Sequence, residues 1–511
     1  MRKINCFRKA RSINTLTKPA SAFVLISILI VVMLISMVAL SLLFRMRAEE
    51  KAAIASAGGE QAWAAAMSGI RHAMLILADS PVPEDLRDNP TVFKDQFVFD
   101  DGAQRWYFSV FSPGTDETAT VRFGLADEAG KLNVNLATNE SISAFPLVTL
   151  AMAQALADFV DADEHPRGEG AEQIYYDTLE NPYTIHNGPL NTLDELFMVR
   201  GFTPALLYGE DANQNFRLDA NEDDGDASFP PDNSNGELAR GLRQHLTVAS
   251  YDLNLDSAGV ERVDLNNPDA SLSDESLPEV TANFIAAARR NQITITNVCD
   301  LVDVTWTMPD EEGQNREYHS GIDAESLPLL VDRFTHTNAY SLPGLINLNT
   351  ASAEVLATVP GIDGSLANEI IGARDAISMA SRDSIAWLLT EQFVDAEAFR
   401  QMGRFLTTRS YQFSLRVAGF ANSGQYRIIE AIIDSAGDEP RIIYLRDVSR
   451  FGLPFPIDLP DAEQSSAELE SQNLSFRPPP SRPALGFPER PQRHLLNRTA
   501  QSHHDRRGSQ T

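Results

Sequence analysis

The chain has 511 residues, is 43% hydrophobic and carries a formal net charge of −29. That length allows two or three packed domains, while so acidic a surface disfavours capture of nucleic acid or anionic lipid and invites divalent cations. Two cysteines, Cys6 and Cys299, rule out a disulfide-built fold; Cys299, beside Val298 and Leu301, reads as a small buried hydrophobe.

The N-terminus begins with a basic stretch, Met1 to Ala22, holding Arg2, Lys3, Arg8, Lys9, Arg11 and Lys18 and no acid. An uncharged apolar run from Phe23 to Phe44 follows, long enough to cross a bilayer as a helix. Positive charge before the span predicts a cytoplasmic N-terminus and exported bulk. The small residues Ala20-Ser21-Ala22 precede the apolar run, whereas an ordinary signal peptide is cut after it. This arrangement resembles a type IV prepilin, cleaved between Ala22 and Phe23. Arg45 to Ala78 is rich in helix formers and predicts one continuous rod, ended by Pro81 and Pro83.

Strand patterns follow at 97–99, 106–111 and 119–125, and return at 412–418, 426–433 and 441–446. Residues 127–406 between them read as mainly helical. The order predicts one small sheet with a long α insertion, an α+β fold. Beyond 461, Ser, Gln, Pro and Arg predominate and predict a disordered tail.

Two motifs carry chemistry. Asp211, Asn213, Asn215, Arg217, Asp219 and Glu222 occupy positions 1, 3, 5, 7, 9 and 12 of an EF-hand-like loop, with Arg217 offering its carbonyl. The pattern predicts a structural calcium ion; Phe216 stands where glycine usually permits the turn. Asp223, Asp224 and Asp226 could complete this site or a neighbour, and Asn233 to Leu238 forms a weaker fragment. Ile346 to Arg374 forms a helix-hairpin-helix around Pro360-Gly361-Ile362, a unit used for DNA phosphates or for protein packing. Asp363 and Glu369 beside the hairpin argue against DNA. Lys131-Leu-Asn133-Val-Asn135 echoes Ile346-Asn347-Leu-Asn349, and Leu193 to Phe202 echoes Val355 to Ile362, which predicts two related helical units. His165, His186 and His245 lie near acids without the spacing of a metal site or triad.

The N-terminus, Asp127-Glu128-Ala-Gly130-Lys131-Leu-Asn133-Val-Asn135, Asp158-Phe-Val-Asp161-Ala-Asp163, Ala171-Glu172-Gln173-Ile-Tyr175-Tyr176, Leu193 to Leu196 and Ile346 to Thr350 stand in one order. In this they resemble the minor pseudopilin K family of type II secretion systems, across Phe23 to Pro456. The resemblance implies a long N-terminal transmembrane helix on a pilin-like antiparallel sheet, with a large α domain inserted into the sheet. Its expected divisions are a leader to 22, a helix to 80, sheet at 81–126 and 407–460, the α domain at 127–406 and the tail from 461. It implies a non-enzymatic subunit at the tip of a periplasmic pseudopilus, anchored in the inner membrane, processed by prepilin peptidase and joined with minor pseudopilins I and J. Ser27 stands at mature position 5, where most pilins carry glutamate and this family does not. Ala22 departs from the usual glycine before the cut. The alternative function is a membrane-anchored DNA-uptake protein built on the hairpin.

Overall fold

The computed structural model describes residues 20–79, 86–114, 121–272, 277–374 and 376–457. Most of the leader, Pro81, Pro83 and the tail lie outside the described residues. The first element is a helix of 60 residues, Ala20–Asp79; at 1.5 Å per residue it extends about 90 Å. The Ala22–Phe23 bond falls in its first turn. It is the one described helix long and apolar enough to cross a membrane. From Val24 to Phe44 its large apolar side chains are exposed.

The same helix changes character near Gly58. Ala62, Ala65, Ala66, Ile70 and Ala73 are fully buried at helical spacing. They face an antiparallel sheet whose central strand, Gln412–Ala421, lies between Arg105–Pro113 and Tyr426–Asp434. Gln96–Asp100 and Arg441–Asp447 flank these, and Val121–Arg122 and Ala126–Asp127 add short pairings. Small residues set the approach of helix to sheet. A Cβ on Gly419 would stand 2.1 Å from the Ala62 carbonyl oxygen, and one on Gly69 would stand 2.5 Å from Val417 Cγ1. A Cβ on Gly58 would meet Gln425 Oε1 at 2.0 Å. The glycine pair at 58–59 thus serves contact rather than a turn, and the helix runs through it.

The strands predicted at 97–99, 106–111, 412–418, 426–433 and 441–446 are present, whereas of 119–125 only Val121–Arg122 is strand and 119–120 lie outside the described residues. The strand Arg105–Pro113 pairs directly with Gln412–Ala421, which comes far later in the chain. Residues 127–406 depart from a mainly helical reading. Their helices are short, interleaved with 3₁₀ turns and two-residue strands, and Thr305–Pro309 pairs with Asn315–His319 as a hairpin. Its first strand alternates polar and apolar residues, Thr-Trp-Thr-Met, the period of a half-exposed strand.

The segment contains three related units rather than two. In each, a two-residue strand pairs in parallel with a later Leu-Thr or Phe-Thr strand. The pairs are Leu132–Asn133 with Leu246–Thr247, Val263–Asp264 with Phe334–Thr335, and Ile346–Asn347 with Leu406–Thr407. The register is shared: the hydrophobic residues are partners, and Asn or Asp faces Thr. The following residue donates to the threonine carbonyl in all three, from Val134 at 2.9 Å, Leu265 at 2.8 Å and Leu348 at 2.8 Å. The asparagine after that turns the chain. Asn135, Asn266 and Asn349 each donate Nδ2 to a backbone carbonyl, of Leu190, Ile295 and Arg382 respectively, at 2.9–3.0 Å. Parallel strands need a long crossover, and each crossover contains a helix: Leu150–Val160, Glu279–Arg290 or Gly364–Arg374. One continuous hydrophobic core joins the units.

Candidate metal centre and its seat on the sheet

The EF-hand-like loop follows the short helix Pro204–Tyr208, which Thr203 caps and Gly209 ends at φ 61°. Asp211 is 3% exposed and accepts from the N–H groups of Asn215 (3.0 Å) and Phe216 (3.2 Å). Asn213 Oδ1 accepts from Asn215 N–H and Asn215 Oδ1 from Arg217 N–H, so alternate side chains point inward. The amide groups of Asn213 and Asn215 both donate to Asp219 Oδ2 at 2.8 Å. Glu222 is 1% exposed; its Oε2 accepts from Asp219 N–H at 3.1 Å. Its Oε1 is buried with no hydrogen-bond partner.

Burial pushes the Glu222 carboxyl up to about 7 and that of Asp211 up to about 6. Buried oxygen donors that resist carrying charge fit a hard cation, which would supply the missing positive partner. Hydrogen bonds thus link Asp211, Asn213, Asn215, Asp219 and Glu222, and Arg217 enters through its backbone N–H. Asn215 bridges the carboxylates of Asp211 and Asp219, and Glu222 joins them through the Asp219 N–H. The neighbouring acids act as caps instead. Asp232 accepts from Gly225 and Ser234, Asp223 from Gly236 and Asp224 from Ser228.

Phe216 adopts φ +64°, the left-handed conformation that position 6 requires. Its ring lies under the guanidinium of Arg416, 3.9 Å from the carbon to the ring centroid. Arg416, on the central strand, is 6% exposed; it donates Nη1 to the Gln214 carbonyl and pairs Nε with Glu430 at 3.1 Å. Nothing in the loop pattern signals this anchor.

The motif running from Asp127 to Asn135 forms the second junction. Asp127 accepts from Ser410 Oγ (2.6 Å), Thr350 Oγ1 (2.5 Å) and Asn347 Nδ2 (3.1 Å), tying the sheet to the third unit. Glu128 instead accepts from Thr247 Oγ1 and Lys131 Nζ in the first. A Cβ on Gly130 would stand 2.8 Å from Thr350 Oγ1. Asp194, of the Leu193 to Leu196 stretch, pairs with Arg243 and with Arg446 on the outer strand.

In the helix-hairpin-helix, Ser352 caps the first helix and Gly361 takes φ +89°. Asp363 Oδ1 accepts from Ser365 N–H (3.0 Å) and Leu366 N–H (2.9 Å). It occupies the donors that would hold a phosphate at that helix start. Arg374 is 7% exposed and donates to the Leu348 carbonyl at 2.6 Å. The three histidines occupy separate surroundings: His245 meets Ser352 Oγ, His186 the Pro189 carbonyl, and His165 is exposed beside Asp163. Cys299 is buried, which pushes its thiol up to about 12.

Comparison with known proteins gives two family matches. Residues 134–208 match the model described as type II secretion system protein K, and residues 344–407 match the helix-hairpin-helix motif. These fall on the first and third structural units; the second matches neither. No curated protein matches the sequence. Among solved structures, a chain of the GspK-GspI-GspJ complex from the enterotoxigenic Escherichia coli type 2 secretion system aligns over 79% of this chain and 99% of its own. It does so at 13% identity and a TM-score of 0.37.

Proposed function

We propose that this chain, whose residues 134–208 match the type II secretion system protein K model, is a member of that family and a structural minor pseudopilin at the filament tip. In this reading it is held in the inner membrane with its N-terminus cytoplasmic and its bulk periplasmic. Prepilin peptidase would release Phe23 as the mature N-terminus. The observation that carries the proposal is the single N-terminal helix, apolar and exposed to Phe44 and buried against an antiparallel sheet from Gly58 onward. Such a helix joins a membrane anchor and a head in one element, the requirement for a subunit drawn from the bilayer into a filament.

The segment between the paired strands Arg105–Pro113 and Gln412–Ala421 serves in this reading as an insertion that prevents another subunit from stacking above. Minor pseudopilins I and J are the proposed partners, and filament initiation and protein export the proposed outcome. No catalytic step is assigned in this reading. Asp211, Asn213, Asn215, Asp219, Glu222 and the Arg217 carbonyl would hold a structural calcium ion, whose role is to fix the loop against Arg416.

Co-expression of the full chain with pseudopilins I and J, followed by detergent extraction and native mass measurement, tests the proposal. A stable complex holding one copy of each, and loss of secretion when this chain is deleted, are expected. Binding of duplex DNA with no such complex would favour the hairpin-based alternative.

A further inference from the structure

Between the sheet and the first and third units lies a cavity of about 1370 Å³, lined by residues of all three. The chain is strongly acidic, with a net charge of −29, yet some of the bases in this cavity have no acid to hold. Lys131, Arg243 and Arg416 line it and are paired, with Glu128, Asp194 and Glu430. Arg87 and Arg122 line it too, and among the described residues neither forms an ion pair. Arg122 donates to neutral oxygens, Nε to Ser112 Oγ at 2.8 Å and Nη2 to the Leu125 carbonyl at 3.2 Å. Arg240, 9% exposed, lines the same space and donates Nη2 to the Gly114 carbonyl at 2.7 Å.

The fold gathers these guanidiniums. Arg122 lies opposite Ser112 where Val121–Arg122 pairs with Arg105–Pro113. The Leu86 carbonyl accepts from Leu125 N–H at 2.8 Å, and a Cβ on Gly124 would stand 2.4 Å from the Leu86 and Arg87 carbonyl oxygens. Glycine at 124 thus lets the chain carrying Arg87 lie against the residues that follow Arg122. From the first unit, the Ala239 carbonyl accepts from Glu210 N–H at 2.7 Å and Ala239 N–H donates to Glu210 Oε2 at 3.0 Å. That exchange brings Arg240 to the strand end at Gly114.

Burial lowers the Arg122 pKa to about 10, and Arg87 and Arg240 add to the depression. Asp88 and Asp127 act the other way, but each is already committed. Asp88 accepts from Phe123 N–H, and Asp127 from Ser410, Thr350 and Asn347. Like charges gathered in a desolvated concavity call for an anion, and the guanidinium fork fits the two oxygens of a carboxylate.

The same cavity offers an apolar wall, with Phe145, Leu147 and Leu193. Leu147 is 84% exposed and holds φ +68°, a left-handed conformation that a leucine rarely keeps without a use. The volume exceeds the roughly 300–1,000 Å³ of sites for single small molecules, which suits a length of chain rather than a free anion. Arg416 lines the cavity while its neighbour Val417 packs with Ile70 of the long helix. Successive strand residues face opposite ways, so the cavity lies on the sheet face away from that helix.

We propose that this cavity seats an extended peptide segment of a partner protein in which a glutamate or aspartate adjoins a large apolar residue. The carboxylate lies between Arg87 and Arg122, with Arg240 beside them, and the apolar side chain rests against Leu147 and Phe145. Such a contact is separate from any helix-to-helix association within a filament.

Fluorescence anisotropy of a short labelled Glu-Leu repeat peptide, titrated with the full-length protein in detergent at constant calcium, tests this. Saturable binding is expected, and a Gln-Leu repeat should bind about tenfold more weakly, the loss of one charge-assisted hydrogen bond. Arg87→Gln and Arg122→Gln should each weaken Glu-Leu binding by about the same factor. Arg290→Gln, at an exposed pair with Glu311 in the second unit, should leave it unchanged. Arg87 makes no side-chain hydrogen bond among the described residues, so its variant decides even where Arg122→Gln fails to fold. Inorganic phosphate should compete only in large excess over the peptide. Absence of saturable binding, full binding by Arg87→Gln, equal weakening by Arg290→Gln, or displacement by equimolar phosphate would each overturn the proposal.

Discussion

The guanidinium of Arg416 stands 3.9 Å from the ring centroid of Phe216 and joins the central strand of the sheet to the acidic loop. A residue that looks like a defect in the loop pattern is therefore its anchor. Arg416→Met is expected to destabilise the protein by about 1–3 kcal/mol, because it leaves the half-buried Glu430 without its cation and the Gln214 carbonyl without its donor. Thermal or denaturant unfolding measures this.

Phe216 separates backbone strain from side-chain contact. Phe216→Gly relieves a left-handed cost of about 1–2 kcal/mol while losing a cation–π contact worth about 0.5–2 kcal/mol. Its stability should stay near that of the unmutated protein. Phe216→Ala loses the contact and keeps most of the strain, so it should unfold more easily than either, as read from the same unfolding curves.

Calcium at the Asp211–Glu222 loop predicts a metal-dependent rise in Tm. A ligand at 100 times its Kd contributes about 2.7 kcal/mol. Glu222→Gln should lose that contribution, as read by scanning calorimetry with and without calcium. An undiminished calcium response in that variant would remove the loop from the metal account.

Contact between helix and sheet predicts a severe effect at Gly419. A Cβ there would lie 2.1 Å from the Ala62 carbonyl oxygen and 2.4 Å from the Ala66 nitrogen, both backbone atoms that cannot rotate away. Gly419→Ala should cost at least about 1–3 kcal/mol, the usual range for overpacking. Limited proteolysis near Gly58 should then become faster as the helix lifts.

His245 and His336 predict the response to acid. Burial lowers both pKa values below 6.5. Below pH 6.5 the unfolded chain takes up protons at these rings that the folded protein resists. Stability should therefore fall as pH drops through that value, with no contribution from these groups above it. His245→Gln should flatten the decline in a pH series of unfolding curves.

The sequence made the frame readable where one periodicity dominates. The apolar run to Phe44 and the period-two strands at 106–111, 412–418 and 426–433 needed no tertiary knowledge. The middle segment was harder, because strands two residues long have no period to detect. Val263-Asp264-Leu265-Asn266 repeats the pattern of Leu132 to Asn135 and Ile346 to Asn349, but its meaning lies in pairing with a distant Phe-Thr. The loop's ligand positions were legible because they are contiguous. The partners Arg416 and Glu430 were not, since they arrive from another part of the chain.

The most direct test of the central claim is the mass of the N-terminal peptide of membrane-extracted protein, with and without co-expressed prepilin peptidase. The account predicts a peptidase-dependent start at Phe23. An intact leader under both conditions would contradict it, leaving a signal-anchored protein that never enters a pseudopilus.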